Sequence, residues 1–313
     1  MGLAIVGIVF YHAPFVLHDP WVGLFHDMLN CGVDMFLFLS GLGACHSLKH
    51  RGGRGYLRQR ALRLLPGLYL FLIPWSVFML LRGWMNLWDF LGSVSLLGWW
   101  LGDPKQLNWY FSAVWLFFLL SIPAYGLFRR TDRPWLSWLG LGIVSVGIAI
   151  LCPLDHLMTA LARLPVFFTG MLFGVLEQRG FSHTAPLKAL CYLLIPLGLW
   201  CWMVTDWGYG DLYGYRFGTW WYPYALFTPG LALGISGIGD RLASFPWFRW
   251  LKRPLDRCGE SSAEILMVHV GLYKLLQDGS RYRNRVWVMI ALGCLVLGCL
   301  YRLLTERLFR KLA

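Results

Sequence analysis

Residues 57–81, LRQRALRLLPGLYLFLIPWSVFMLL, join a basic entrance to a continuous apolar run. Arg60 and Arg63 are three positions apart, so on a helix they are neighbours with about 5–6 Å between their Cβ atoms. Two adjacent guanidiniums form an anion site, because each can give charge-assisted, often bidentate, hydrogen bonds to a phosphate or carboxylate. The apolar run from Leu64 to Leu81 is of membrane length, which puts the pair where a helix enters a bilayer. One arginine at such a point simply snorkels into the headgroups. A pair at helical spacing, with Arg58 beside it and Pro66 and Tyr69 following, asks for an anionic ligand as well.

Working outward, the 313-residue chain is 58% hydrophobic, 17% aromatic and only 14% charged, with a formal net charge of +12. A chain with so little polar surface cannot cover itself in water and reads as an all-α, polytopic membrane protein. The basic residues interrupt apolar runs instead of clustering on a soluble domain, so they argue for membrane topology and against nucleic acid. The eight cysteines show no metal or redox spacing and imply neither a disulfide framework nor zinc. Met1 leads directly into an apolar run without a basic leader or cleavage site, so the first helix is expected to stay.

About ten apolar segments are expected to cross the membrane. They cover residues 2–17, 30–46, 64–82, 109–128, 135–152, 163–177, 187–205, 219–238, 262–276 and 286–303. Most of the Lys and Arg fall in alternate loops: Lys49 to Arg63, Arg129 to Arg133, Arg179 and Lys188, Arg241 to Arg257, and Arg302 to Lys311. By the positive-inside rule both termini are then cytoplasmic; Arg281, Arg283 and Arg285 dissent. Segment 206–218, DWGYGDLYGYRFG, falls on the outer face and reads as interfacial aromatic belt ahead of a sugar-stacking platform. No 20–50-residue repeat is visible, and residues 1–313 are expected to form a single transmembrane domain in a plasma or inner membrane, among its lipids.

Inside the first span, His12 follows Tyr11 about 15 Å in from Gly2, near mid-bilayer. An imidazole there is either a proton-transfer group or a packed, hydrogen-bonded structural residue. Asp34 in GVDMFLFLSG either orients an imidazole or pairs with an arginine, and His269 in ILMVHV reads as packing. The other histidines, His18, His26, His46, His50, His156 and His183, sit at span ends or in loops and carry no assigned chemistry. No nucleophile elbow, phosphate-cradling glycine loop or HExxH motif occurs.

Seven blocks, in order, resemble the acyltransferase 3 family of integral membrane acyltransferases. They are GLAIVGIVFYHA (2–13), GVDMFLFLSG (32–41), LRQRALRLLPGLY (57–69), WYFSAVWLFFLLSIP (109–123), RLPVFFTGMLFG (163–174), CGESSAEILMVH (258–269) and TERLFRKL (305–312). The resemblance implies transfer of an acyl group, usually acetyl, from cytoplasmic acyl-coenzyme A to a hydroxyl of a cell-envelope or exported glycan or other acceptor. It maps the family histidine onto His12, as general base or covalent acyl carrier, and the family arginine pair onto Arg60 and Arg63. Arg58 and Tyr69 complete the expected donor-binding group, with Asp34 beside His12 as the second catalytic candidate, and no metal is called for. Family members usually carry an arginine directly before the first Gly-Leu-Ala, where this chain has Met1; with the short first span, this suggests a truncated start. The block at Trp109 lacks the glutamate of one family branch, so no acidic residue carries over from there. The competing class is a transporter or flippase for an anionic amphiphile, which the arginine pair would also suit but which the absence of internal symmetry disfavours.

Overall fold

The structure is a computed structural model that describes residues 1–102, 107, 109–151, 155–181, 184–209, 220–276 and 283–309, with the side chains of 155 and 206–209 left aside. Among the described residues the regular elements are helices: α1 (Gly2–His12), α2 (Pro20–Met28), α3 (Cys31–Leu81), α4 (Leu87–Ser95), a 3-10 turn at Trp99–Leu101, α5 (Trp109–Arg130), α6 (Pro134–Leu151), α7 (Asp155–Leu161), α8 (Leu164–Gln178), α9 (Ala185–Tyr209), α10 (Tyr222–Leu242), α11 (Pro246–Glu260), α12 (Ser262–Leu276) and α13 (Asn284–Phe309). Among the described residues six helical stretches are long and apolar enough to cross a membrane: Pro20–Leu81, Trp109–Arg130, Pro134–Leu151, His156–Gln178, Ala185–Thr205 and Asn284–Phe309. Each of the ten apolar segments nonetheless overlaps a helix. The difference has three sources: the expected spans 30–46 and 64–82 fall together in Pro20–Leu81, α1 has 11 residues and α12 has 15, and α10, though 21 residues long, is not among the six. Most of segment 206–218, together with Arg281, His183, Arg310 and Lys311, lies outside the described residues.

Two boundaries differ from the sequence expectation. The first span was expected to run to residue 17, but α1 stops at His12 because Ala13 turns extended (φ −71°, ψ 125°), as the residue before a proline prefers. The segment beyond it is pinned at Val16, whose N–H donates to Asn284 Oδ1 (2.9 Å) while Asn284 Nδ2 donates to the Val16 carbonyl (2.8 Å). The second difference is α3, which carries helix through the basic stretch that was expected to be a loop. Leu, Arg, Lys and Gln are good helix formers, so the helix outlasts the apolar runs on either side. It breaks at Gly52 (φ 65°, ψ 177°), a conformation essentially open only to glycine.

The described chain groups into two compact units, each built from separated stretches: Met1–Val33, Arg58–Trp109 and Phe245–Ala313 in one, and Asp34–Leu57 with Tyr110–Ser244 in the other. In the first, α1 buries Ala4, Ile5, Ile8 and Val9 and packs against α11, α12 and α13. Glycines make the approach close: a Cβ on Gly2 would strike the Leu255 carbonyl, and one on Gly298 would strike Ile265. Helices that meet through small residues gain packing where lipid supplies no hydrophobic drive. In the second unit α8 is central, and every residue from Leu164 to Val175 is buried. The first part of α3 crosses it through Gly41, set against the Phe167 carbonyl, and Gly170, set against the Phe38 carbonyl.

Candidate functional site

Six residues stood out in the sequence as site candidates, and the first compact unit holds five of them: His12, Arg58, Arg60, Arg63 and Tyr69. Asp34 belongs to the other. His12 is the last residue of α1 and is exposed. Its Nδ1 lies 3.0 Å from the Ile8 carbonyl and 3.1 Å from Nε2 of His269, which is fully buried on α12. Nδ1 of His269 is in turn 3.0 Å from the Ile265 carbonyl.

These contacts fix the tautomers of the two neutral rings. A carbonyl only accepts, so His269 Nδ1 carries a proton and donates it to Ile265, which leaves its Nε2 as a lone pair. Both neighbours of His12 Nδ1 are then acceptors, so Nδ1 carries the His12 proton and Nε2 of His12 holds the lone pair. The arrangement presents a base at Nε2. His269 is held by more than its own helix: Tyr273 meets its ring edge to face at 5.6 Å, donates its hydroxyl to the Val9 carbonyl (3.1 Å) and rests on Trp287. Besides packing among apolar residues, as its surroundings suggested, His269 is in contact with His12. The available sign was a second histidine inside an apolar helix.

The arginines separate into two sets. Arg63 lies within electrostatic reach of Arg60, Arg302 and Glu264. Glu264, only 3% exposed, accepts from Arg302 Nη1 at 3.1 Å, and Glu306 accepts from Arg302 Nε at 2.8 Å. Tyr69 is nine residues from Arg60, about two and a half helical turns, and so faces the opposite way. It lines an open apolar groove of about 550 Å³ with Leu65, Pro66, Leu70, Ile73, Pro74 and Phe309. Arg58, seven residues before Leu65, is on that same outward face. Arg60 and Arg63 therefore stand with the Glu264 cluster, while Arg58 and Tyr69 look outward.

One helix carries both parts of this site. On α12, Glu264 and His269 are five residues apart, an axial offset of about 7.5 Å. The first turn of α12 thus meets the arginines and its second turn meets His12.

Asp34 is the exception. It is fully buried, and its Oδ2 accepts from Nε of Arg163 at 3.2 Å. Arg163 also donates to the Thr159 carbonyl (3.2 Å) and lies 5.4 Å from the centre of the Trp221 ring. Of the two roles open to Asp34 in the sequence, its contacts are those of a pair with an arginine. Arg163, directly before the buried helix α8, was not singled out from the sequence although a charge inside an apolar segment calls for a partner. Among the described residues no cluster of three or more His, Cys, Asp or Glu is placed to hold a metal ion.

A family model described as an acyltransferase domain matches residues 2–304. No curated protein and no solved structure matches the chain.

Proposed function

From the premise that this chain belongs to the acyltransferase 3 family, and so is a membrane acyltransferase, we propose that it moves an acyl group from cytoplasmic acyl-coenzyme A to a hydroxyl of a cell-envelope or exported glycan. The observation that carries this reading is the His12–His269 pair, which leaves a basic lone pair on Nε2 of His12. In the proposed step that nitrogen takes the proton of the acceptor hydroxyl as its oxygen attacks the thioester carbonyl. The new C–O bond forms, the C–S bond breaks, and the departing thiolate recovers the proton from the imidazolium. Arg60 and Arg63 hold the phosphates of the donor through charge-assisted bonds. With acetyl as the transferred group, no long acyl pocket is needed. The protein works as one membrane domain with the arginine end cytoplasmic, in agreement with the charge asymmetry of the sequence.

The deciding measurement is release of free coenzyme A by the purified protein, with and without a hydroxyl acceptor, for wild type and His12→Ala. A positioned general base is worth roughly 10²–10⁴-fold, so His12→Ala is expected to lower turnover by that order while donor affinity stays near wild type. Equal turnover in the two proteins would remove His12 from the chemistry.

A further inference from the structure

The arginine pair of the sequence is part of a larger group. Arg302 reaches it from α13, and the guanidinium is clamped on two sides: Nε by Glu306 at 2.8 Å and Nη1 by the buried Glu264 at 3.1 Å. A guanidinium has five N–H donors, so these two bonds fix its plane and leave the remaining edge to serve another acceptor. Its side chain as a whole is 24% exposed. Arg63 stands in the electrostatic field of both Arg302 and Glu264. Gly67 lies against this cluster, a Cβ there being 3.6 Å from Oε1 of Glu264, an ordinary van der Waals contact, and the Gly67 carbonyl accepts from Tyr301, one residue before Arg302, at 2.8 Å. Glu264 has a second oxygen, Oε2, that is buried without a hydrogen-bond partner. A lone structural ion pair would favour bonds to both oxygens, whereas a carboxylate set among several arginines can hold one while balancing the charge of the others.

We propose that Arg302 is a third phosphate-binding arginine of the donor site, positioned by Glu264 and Glu306 so that its open edge joins Arg60 and Arg63 on one polyanionic ligand. The proposal rests on the donor reading above and extends it to α13. Three arginines suit a donor with several phosphate groups, as coenzyme A has, better than one with a single carboxylate. Glu264 has two opposed effects: it aligns Arg302 and it subtracts one charge from the site.

The test is coenzyme A affinity of the full-length protein in nanodiscs at several salt concentrations, alongside ligand-free thermal stability. Arg302→Gln alone strands the Glu264 carboxylate and endangers folding, so the main variant is Arg302→Gln/Glu264→Gln, whose two amides can bond to each other. It is expected to bind coenzyme A about tenfold or more weakly, the loss of one charged contact, with a salt dependence close to that of wild type because one charge of each sign is removed. Arg302→Lys, which keeps the charge without the fork, is expected to lose less. Glu264→Gln keeps an acceptor for Arg302 and removes a negative charge, so it is expected to bind at least as tightly as wild type. Wild-type affinity in the double variant would overturn the assignment and leave the role of His12 standing, since that rests on turnover. A loss in Glu264→Gln as large as in the double variant would also overturn it, by tracing the effect to the carboxylate. Failure of the wild type to bind coenzyme A would overturn both this proposal and the choice of donor.

Discussion

At the scale of single residues, the site depends on which nitrogen of His12 keeps its proton. His269 supplies one of the two acceptors facing Nδ1–H, the other being the Ile8 carbonyl, and the bond to His269 can be removed without touching His12. His269→Phe keeps a buried ring but no acceptor, and loss of one neutral hydrogen bond of about 1 kcal/mol should lower kcat on the order of fivefold or more while the donor KM is unchanged. His269→Gln can offer an amide oxygen to the same proton and is expected to recover part of the loss. Equal kcat for the Phe and Gln variants would reduce His269 to packing. His12 and the Arg60/Arg63 pair were legible in the sequence because each breaks a local rule, a titratable ring inside an apolar run and two cations at helical spacing. Glu264, Arg302 and Arg163 were not, since their partners are 38 and 129 positions away and nothing local shows which distant charge will meet them. Tyr69 was grouped with the arginines through the family resemblance of the block they share, and the helical turn places it on the face opposite Arg60.

At the scale of elements, glycine crossings and one buried ion pair hold the second unit together. Gly170 is set against the backbone of Phe38, so any side chain there forces α8 away from α3. Gly170→Leu is expected to destabilise by at least the 1–3 kcal/mol typical of overpacking, seen as a lowered melting temperature in detergent. Substitution at Gly140, which has no neighbour within reach of a Cβ, serves as the control. Asp34 and Arg163 make a different kind of join. Removing either partner of a buried pair costs about 3–5 kcal/mol, whereas replacing both with apolar residues of similar size is often neutral. Asp34→Leu is therefore expected to lower stability sharply, and Asp34→Leu/Arg163→Met to restore it. A stable but inactive double variant would give Asp34 a chemical role; a stable and active one would make the pair structural. The helices themselves were largely readable from apolar run lengths. Their ends were less so: α1 is cut by the residue preceding Pro14, and α3 continues past its apolar run on helix propensity, with only Gly52 able to interrupt it.

At the scale of the molecule, charge gave the expected orientation while helix length gave the count of candidate spans, and the two draw on different physics. Lys and Arg asymmetry senses the membrane potential and headgroups, whereas a helix of 11 or 15 residues such as α1 or α12 reaches only part of a 30 Å core. A reporter fused after Ala313 is expected to read as cytoplasmic, and one inserted near Asn284, at the far end of α13, as external; the opposite pattern would invert the topology. The first compact unit also has a temporal consequence. His12 is made 257 residues before its partner His269, whereas the second unit has all its stretches by Ser244. During synthesis the proposed base is therefore present before its His269 contact can form. On the proposed mechanism the site is complete only once α12 has been made, so a chain stopped after Ser244, which lacks α11, α12 and α13, is expected to retain the glycine crossings of α8 and to be chemically silent.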